Sequence, residues 1–184
     1  MRYLILFVLI CCSFETIAQD RETILDGEME ISYFGGLNLN FASVMQNLTG
    51  LIGGQGGILV NDAIYIGGSL GSSITEIGGG YTSYRYIGLL FGSFVKPKDA
   101  IHYFSDVGLY SGKISSEGLT GIVSASTEKF SIIEPRIGVG INLNDKLKAT
   151  AGLSFKLVGA IDNSDISKKD VGGISLSGTI IYGL

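Results

Sequence analysis

Four charged residues, Asp106, Glu134, Arg136 and Lys156, share one face of alternating apolar and small or polar segments. Counted back from Asn144-Asp145-Lys146, Glu134 lies across from Lys156, while Asp106 and Arg136 come to similar depth on neighbouring segments. Such a set allows an ion or proton path, or an internal plug of paired charges. Charges withdrawn from water persist only when paired and hydrogen-bonded, so a plug is the simpler chemistry, and the four are assigned as a structural charge cluster. Other candidates are weaker. Gly78-Gly79-Gly80 precedes no helix that could hold a phosphate. Asp162, Asn163, Asp165 and Asp170 lack the spacing of a calcium loop and read as a solvated segment. Asn47-Leu48-Thr49 matches a glycosylation pattern, a three-residue motif that is met by chance. His102 is the sole histidine, and no Gly-x-Ser-x-Gly elbow accompanies it. No catalytic, cofactor-binding or metal-binding residue is assigned.

The elements that must position the charges repeat with a period of two. Ile31, Tyr33, Leu37, Leu39 and Phe41 alternate with small or polar residues. So do Ile137, Val139 and Ile141 in one later segment, and Ala151, Leu153 and Phe155 in another. Eight such segments are predicted as strands: 30–43, 49–60, 64–75, 84–95, 101–114, 130–143, 147–159 and 172–184. Each is close to the 9–11 residues that a tilted strand needs to cross a bilayer, and no convincing helical period interrupts them. Three connections are short and carry turn formers: Asn61-Asp62-Ala63, Lys96 to Ala100, and Asn144-Asp145-Lys146. They alternate with longer links at 44–48, 76–83, 115–129 and 160–171. Across the short turns, Val60 is expected opposite Ile64, Val95 opposite Ile101, and Leu143 opposite Leu147, which keeps the apolar face on one side.

Of the 184 residues 28 are glycine and 2 are proline, and mean hydropathy is +0.40. Beyond the N-terminus no apolar run approaches the ~20 residues of a membrane helix. A face of glycine, serine, asparagine and charges does not fill a dry core. The aliphatic face therefore points outward to lipid and the polar face inward, the pattern of a transmembrane barrel, whose closure satisfies every strand edge in hydrocarbon. The predicted fold is all-β, an eight-stranded antiparallel up-and-down transmembrane β-barrel spanning 31–184. Tyr33, Tyr103 and Tyr182 fall at similar heights near one rim, where an aromatic girdle belongs. The net charge of −4 and the lack of a basic cluster argue against a nucleic-acid partner.

The N-terminus reads as an export signal. Arg2 provides the positive start, residues 3–12 an apolar core too short to span, and Thr16-Ile17-Ala18 a cleavage site before Gln19. Residues 1–18 are assigned as signal peptide and 19–30 as a short polar leader. Cys11 and Cys12, the only cysteines, both lie in the signal. Lipidation of Cys12 is an alternative that the preceding Cys11 disfavours.

Signal, alternation and Pro135-Arg136-Ile137-Gly138 within a strand resemble the small outer-membrane β-barrel domain family, of the OmpX or OmpA-barrel size class. The closing Gly178-Thr179-Ile180-Ile181-Tyr182-Gly183-Leu184 is similar to the C-terminal signal read by the barrel-insertion machinery. The resemblance implies residence in the bacterial outer membrane and contact with its lipid but no specific activity, and the absence of a cofactor motif leads to the expectation of no cofactor. A structural or surface-interaction role follows, non-enzymatic, with loops 115–129 and 160–171 offered to an extracellular ligand. Two alternatives stand beside it. A lipid-modifying outer-membrane enzyme would need a polar trio near the outer leaflet, whereas His102 lies at the opposite end. A soluble periplasmic lipocalin-like carrier would need bulky apolar residues inside, and Phe34, Tyr65, Leu90, Phe94, Phe104 and Tyr110 do fall on that face.

Overall fold

A computed structural model describes residues 29–75, 77, 83–115, 127–161 and 167–183. Residues 1–28, predicted as signal peptide and most of the leader, lie outside them, as do Gly78-Gly79-Gly80, Asp162, Asn163, Asp165 and Leu184. The strands are β1 (Ile31–Val44), β2 (Asn47–Val60), β3 (Ile64–Ser73), β4 (Ser83–Val95), β5 (Ile101–Ser115), β6 (Thr127–Asn142), β7 (Leu147–Ile161) and β8 (Gly173–Gly183). Each pairs antiparallel with the next, and β1 pairs with β8 from Phe34–Gly183 to Ala42–Ser175, which closes the barrel. The alternation of two dictates this result, since each strand offers one aliphatic and one mixed face.

The aliphatic face is on the outside. Leu37, Ile137 and Ile174 are 70%, 68% and 69% exposed, and similar side chains recur around the girth. Burying one such side chain is worth about 1.5–3 kcal/mol, so a belt of them is a surface matched to hydrocarbon. Tyr33, Tyr103 and Tyr182 also point outward near the end that carries the termini.

Several local expectations need correction. The link predicted at 44–48 shrinks to the two residues Met45 and Gln46, between Val44 and Asn47, which pair with each other. Both take positive φ, 51° and 64°, the backbone that matches the twist of a two-residue hairpin. Neither residue type signals that turn. It is held by the Met45 N–H, which donates to the Asp170 carbonyl at 2.6 Å. Val95 pairs with Tyr103 and not with Ile101, whose partner is Ile141. The slip is two residues, so both side chains stay on the outer face. Within 160–171, where no helix is predicted, Lys168–Val171 forms a single helical turn, α1, with a Ser167–Asp170 capping box.

Inside, the mixed face is less polar than its composition suggests. Phe34, Tyr65, Leu90, Phe94 and Phe104 join Leu59 and Ile181 in one apolar cluster towards the termini. A second cluster, at the opposite end, contains Leu51, Tyr84, Ile114 and Phe130, with Tyr110 against it. Glycines and rings complement one another within and across strands. A Cβ at Gly108 would overlap the Tyr110 ring, and one at Gly112 the Phe130 ring. The bulky residues expected on the inner face thus fill part of the lumen, the rings of Tyr110 and Phe130 lying over the missing side chains of Gly108 and Gly112.

Candidate functional site

Between the two apolar clusters lies the charged centre. The β5–β6 register pairs Asp106 directly with Arg136. Arg136 Nε donates to Asp106 Oδ1 at 3.0 Å, and its terminal NH2 group donates to Oδ2 at 2.6 Å. The Tyr65 hydroxyl, reaching over from β3, donates to the same Oδ2 at 2.5 Å. The guanidinium also stacks on Phe104, 5.3 Å from its centroid. Side-chain exposure is 11% for Arg136 and 1% for Asp106, so the pair is largely withdrawn from solvent. A two-point geometry of this kind is the strong form of a charge-assisted contact.

Glu134 and Lys156 come near one another in β6 and β7 but have different principal partners. Glu134 Oε1 accepts from Ser154 at 2.5 Å and from Ser175 at 3.1 Å. Lys156, 5% exposed, places its Nζ 5.5 Å from the centroid of the Tyr84 ring. The ion pair implied by their facing positions is thus replaced by hydroxyls on one side and an aromatic face on the other. On the β1 side, Asn40 Nδ2 donates to the Tyr86 hydroxyl at 3.2 Å, and that hydroxyl donates to Asn38 Oδ1 at 3.3 Å. Sequence reading missed Tyr65, Ser154 and Ser175 as members of this network. Their inward parity was available, but strand register alone brings them to Asp106 and Glu134.

The space left around this network is about 10 Å³, room for about one water. Towards the termini a vestibule of about 250 Å³ opens, walled by Phe34, Tyr65 and Phe94 with Asp62 and Lys148 among its polar residues. At the other end Ile77 and Val171, both 0% exposed, pack into the apolar cluster. The barrel is therefore blocked at its centre and packed with apolar side chains at one end.

His102 is buried at the vestibule end, edge-on to Phe94 with ring centroids 5.2 Å apart. Neither ring nitrogen finds a hydrogen-bond partner. Among the described residues, no serine or carboxylate side chain hydrogen-bonds to it. Asp170 serves the α1 cap, where its carboxylate accepts from the Ser167 N–H at 2.8 Å. Among the described residues, no three metal-type ligands converge.

Fold, outward belt and plugged interior define an eight-stranded transmembrane β-barrel of the outer-membrane type. Solved structures with this fold include Neisserial surface protein A, at 13% identity and TM-score 0.64, covering 85% of this chain and 99% of that one. The N-terminal β-barrel domain of Pseudomonas aeruginosa OprF is similar at 11% identity and TM-score 0.61, covering 83% and 97%. Ail, the attachment invasion locus protein of Yersinia pestis, is similar at 12% identity and TM-score 0.53, covering 84% and 97%. No family model matches the chain, and no curated protein does.

Proposed function

We propose that the chain is an integral protein of the bacterial outer membrane with a structural or surface-interaction role and no enzymatic activity. The observation that carries this reading is the aliphatic belt on a closed barrel whose centre is plugged. A soluble carrier fits poorly, because the aliphatic belt would face water. A lipid-modifying enzyme fits poorly as well, since no described serine or carboxylate side chain hydrogen-bonds to His102. Asp106, Glu134, Arg136 and Lys156 act in this reading as the internal plug. Residues 1–18 direct export, 19–30 form the leader, and β8 with its C-terminal residues is the part offered to the insertion machinery. Both termini lie on the periplasmic side, and the segments around 115–129 and 160–171 meet the outside and any ligand there.

Removal of residues 1–18 takes away both cysteines, so single engineered thiols report the orientation. Lys169→Cys, on exposed α1, should react with a membrane-impermeant maleimide on intact cells. Lys98→Cys, in the short turn after β4, should react only after permeabilisation. Labelling of Lys98→Cys alone on intact cells would overturn the proposed orientation. Recovery of the unlabelled protein in the soluble periplasm would overturn the membrane assignment.

A further inference from the structure

On the outer face of β4, β5 and β6, register places three cations side by side. Arg85 pairs with Lys113, and Lys113 pairs with Lys129. All three are exposed and lie within three residues of the strand ends far from the termini. Ser72 of β3 extends the row beside Arg85. Partners in register stand about 5 Å apart, so the cations form a row roughly 10 Å long. Like charges directly opposite one another on a sheet are destabilising. No described carboxylate relieves them: Glu128, next to Lys129, points into the barrel and is 5% exposed. The row therefore calls for anions beyond the described residues.

The surface below the row indicates what carries those anions. One step towards the middle of the barrel, Ser111 and Ser131 pair on the outer face, and Leu109 and Ile133 follow. Cation, hydroxyl and aliphatic levels thus succeed one another as headgroup, interface and acyl chain do in a lipid leaflet. A surface depression of about 420 Å³ spans these levels, with Ser72, Arg85 and Lys113 at its polar end and Ile52, Leu70 and Ile87 along its apolar wall. At the same end, β8 and β1 present Ile174 and Phe41 outward instead of cations. Apart from Lys168 and Lys169 of α1, beside β7 and β1, the row holds the exposed described cations at this end.

We propose that Arg85, Lys113 and Lys129, with Ser72, form a site for the phosphorylated headgroup of an outer-leaflet lipid, its acyl chains lying in the depression along Leu70 and Ile87. The inference rests on the membrane assignment and orientation proposed above. Guanidinium and ammonium groups at this spacing engage separate phosphate oxygens, the arginine through two parallel donors. The lipid tail adds apolar contact that a free anion lacks.

The test uses the full mature chain in neutral-detergent micelles, titrated with diphosphoryl lipid A and read by native mass spectrometry. A basic residue beside an anionic lipid surface is worth roughly a fivefold change in affinity, and three together roughly a hundredfold. The triple variant Arg85→Gln/Lys113→Gln/Lys129→Gln should therefore lose well over tenfold in affinity, while Lys96→Gln/Lys98→Gln at the opposite rim should not. Dephosphorylated lipid A should bind wild type and triple variant equally weakly. If the triple variant fails to fold, Lys113→Gln alone should lose roughly fivefold. Equal affinity of wild type and triple variant for diphosphoryl lipid A would overturn the proposal. Inorganic phosphate binding as tightly as the lipid would overturn its lipid part. A wild-type chain with no heat-dependent gel shift would instead sink the membrane assignment, so the two failures are distinguishable.

Discussion

Removing Asp106 should reveal how tightly the central plug is coupled. In Asp106→Ala, Arg136 keeps its burial but loses the acceptor of its 2.6 Å contact and of the donation from Nε. An uncompensated buried charge costs about 3–5 kcal/mol. Arg136→Met leaves Asp106 with the Tyr65 hydroxyl as donor. A hydrogen bond to a charged group is worth about 1.5–3 kcal/mol, so this variant should lose less than the other. Replacing both partners by apolar residues, Asp106→Leu/Arg136→Met, strands no charge and should cost no more than the milder single change. With Asp106→Leu as the single variant on that side, the double-mutant cycle should then return a coupling of at least about 3 kcal/mol. The assay is reversible urea unfolding of the barrel in phospholipid vesicles, followed by the folded and unfolded gel bands. Additive losses, with coupling under about 0.5 kcal/mol, would refute the claim that these charges act as one plug. A double variant that stays folded while single variants unfold would support it.

Two further outcomes follow from the same architecture. Ile137, outward and paired with Leu153 in the middle of β6, should tolerate arginine badly. Ile137→Arg should cost about 2–4 kcal/mol in the same vesicle assay, whereas a barrel whose outer face met water would lose almost nothing. Gly108→Ala forces a Cβ into the Tyr110 ring, while Gly35→Ala meets nothing within 4 Å. The first should lower stability by about 1–3 kcal/mol and the second by well under 1; equal effects in unfolding would contradict the described packing of rings over glycines.

The barrel is legible in the sequence because alternation is a local property. Ile31 to Phe41 and Ala149 to Phe155 declare their faces without any knowledge of their neighbours. The polarity of the two faces then identifies lipid as the outer environment. What escapes is anything set by partners distant along the chain. Met45 and Gln46 carry no turn signature, and their positive φ is enforced by strand twist and the Asp170 carbonyl. The two-residue slip at Val95 preserves parity, so no pattern argument detects it. Asp106 and Arg136 were identifiable as neighbours at similar depth, but Tyr65 joins them only through the register that sets it opposite Gly92, itself opposite Asp106. Lys156 and Glu134 are in facing positions, yet Ser154, Ser175 and Tyr84 supply their closer partners. Arg85, Lys113 and Lys129 lie on three different strands and form a row only once register is known.

The central claim, that this chain is a closed barrel resident in the outer membrane, is tested most directly by heat-shift electrophoresis of washed outer-membrane fractions. A band that migrates differently before and after boiling, retained with the membrane through an alkaline carbonate wash, is the predicted result. A band in the soluble periplasmic fraction whose migration ignores boiling would contradict it.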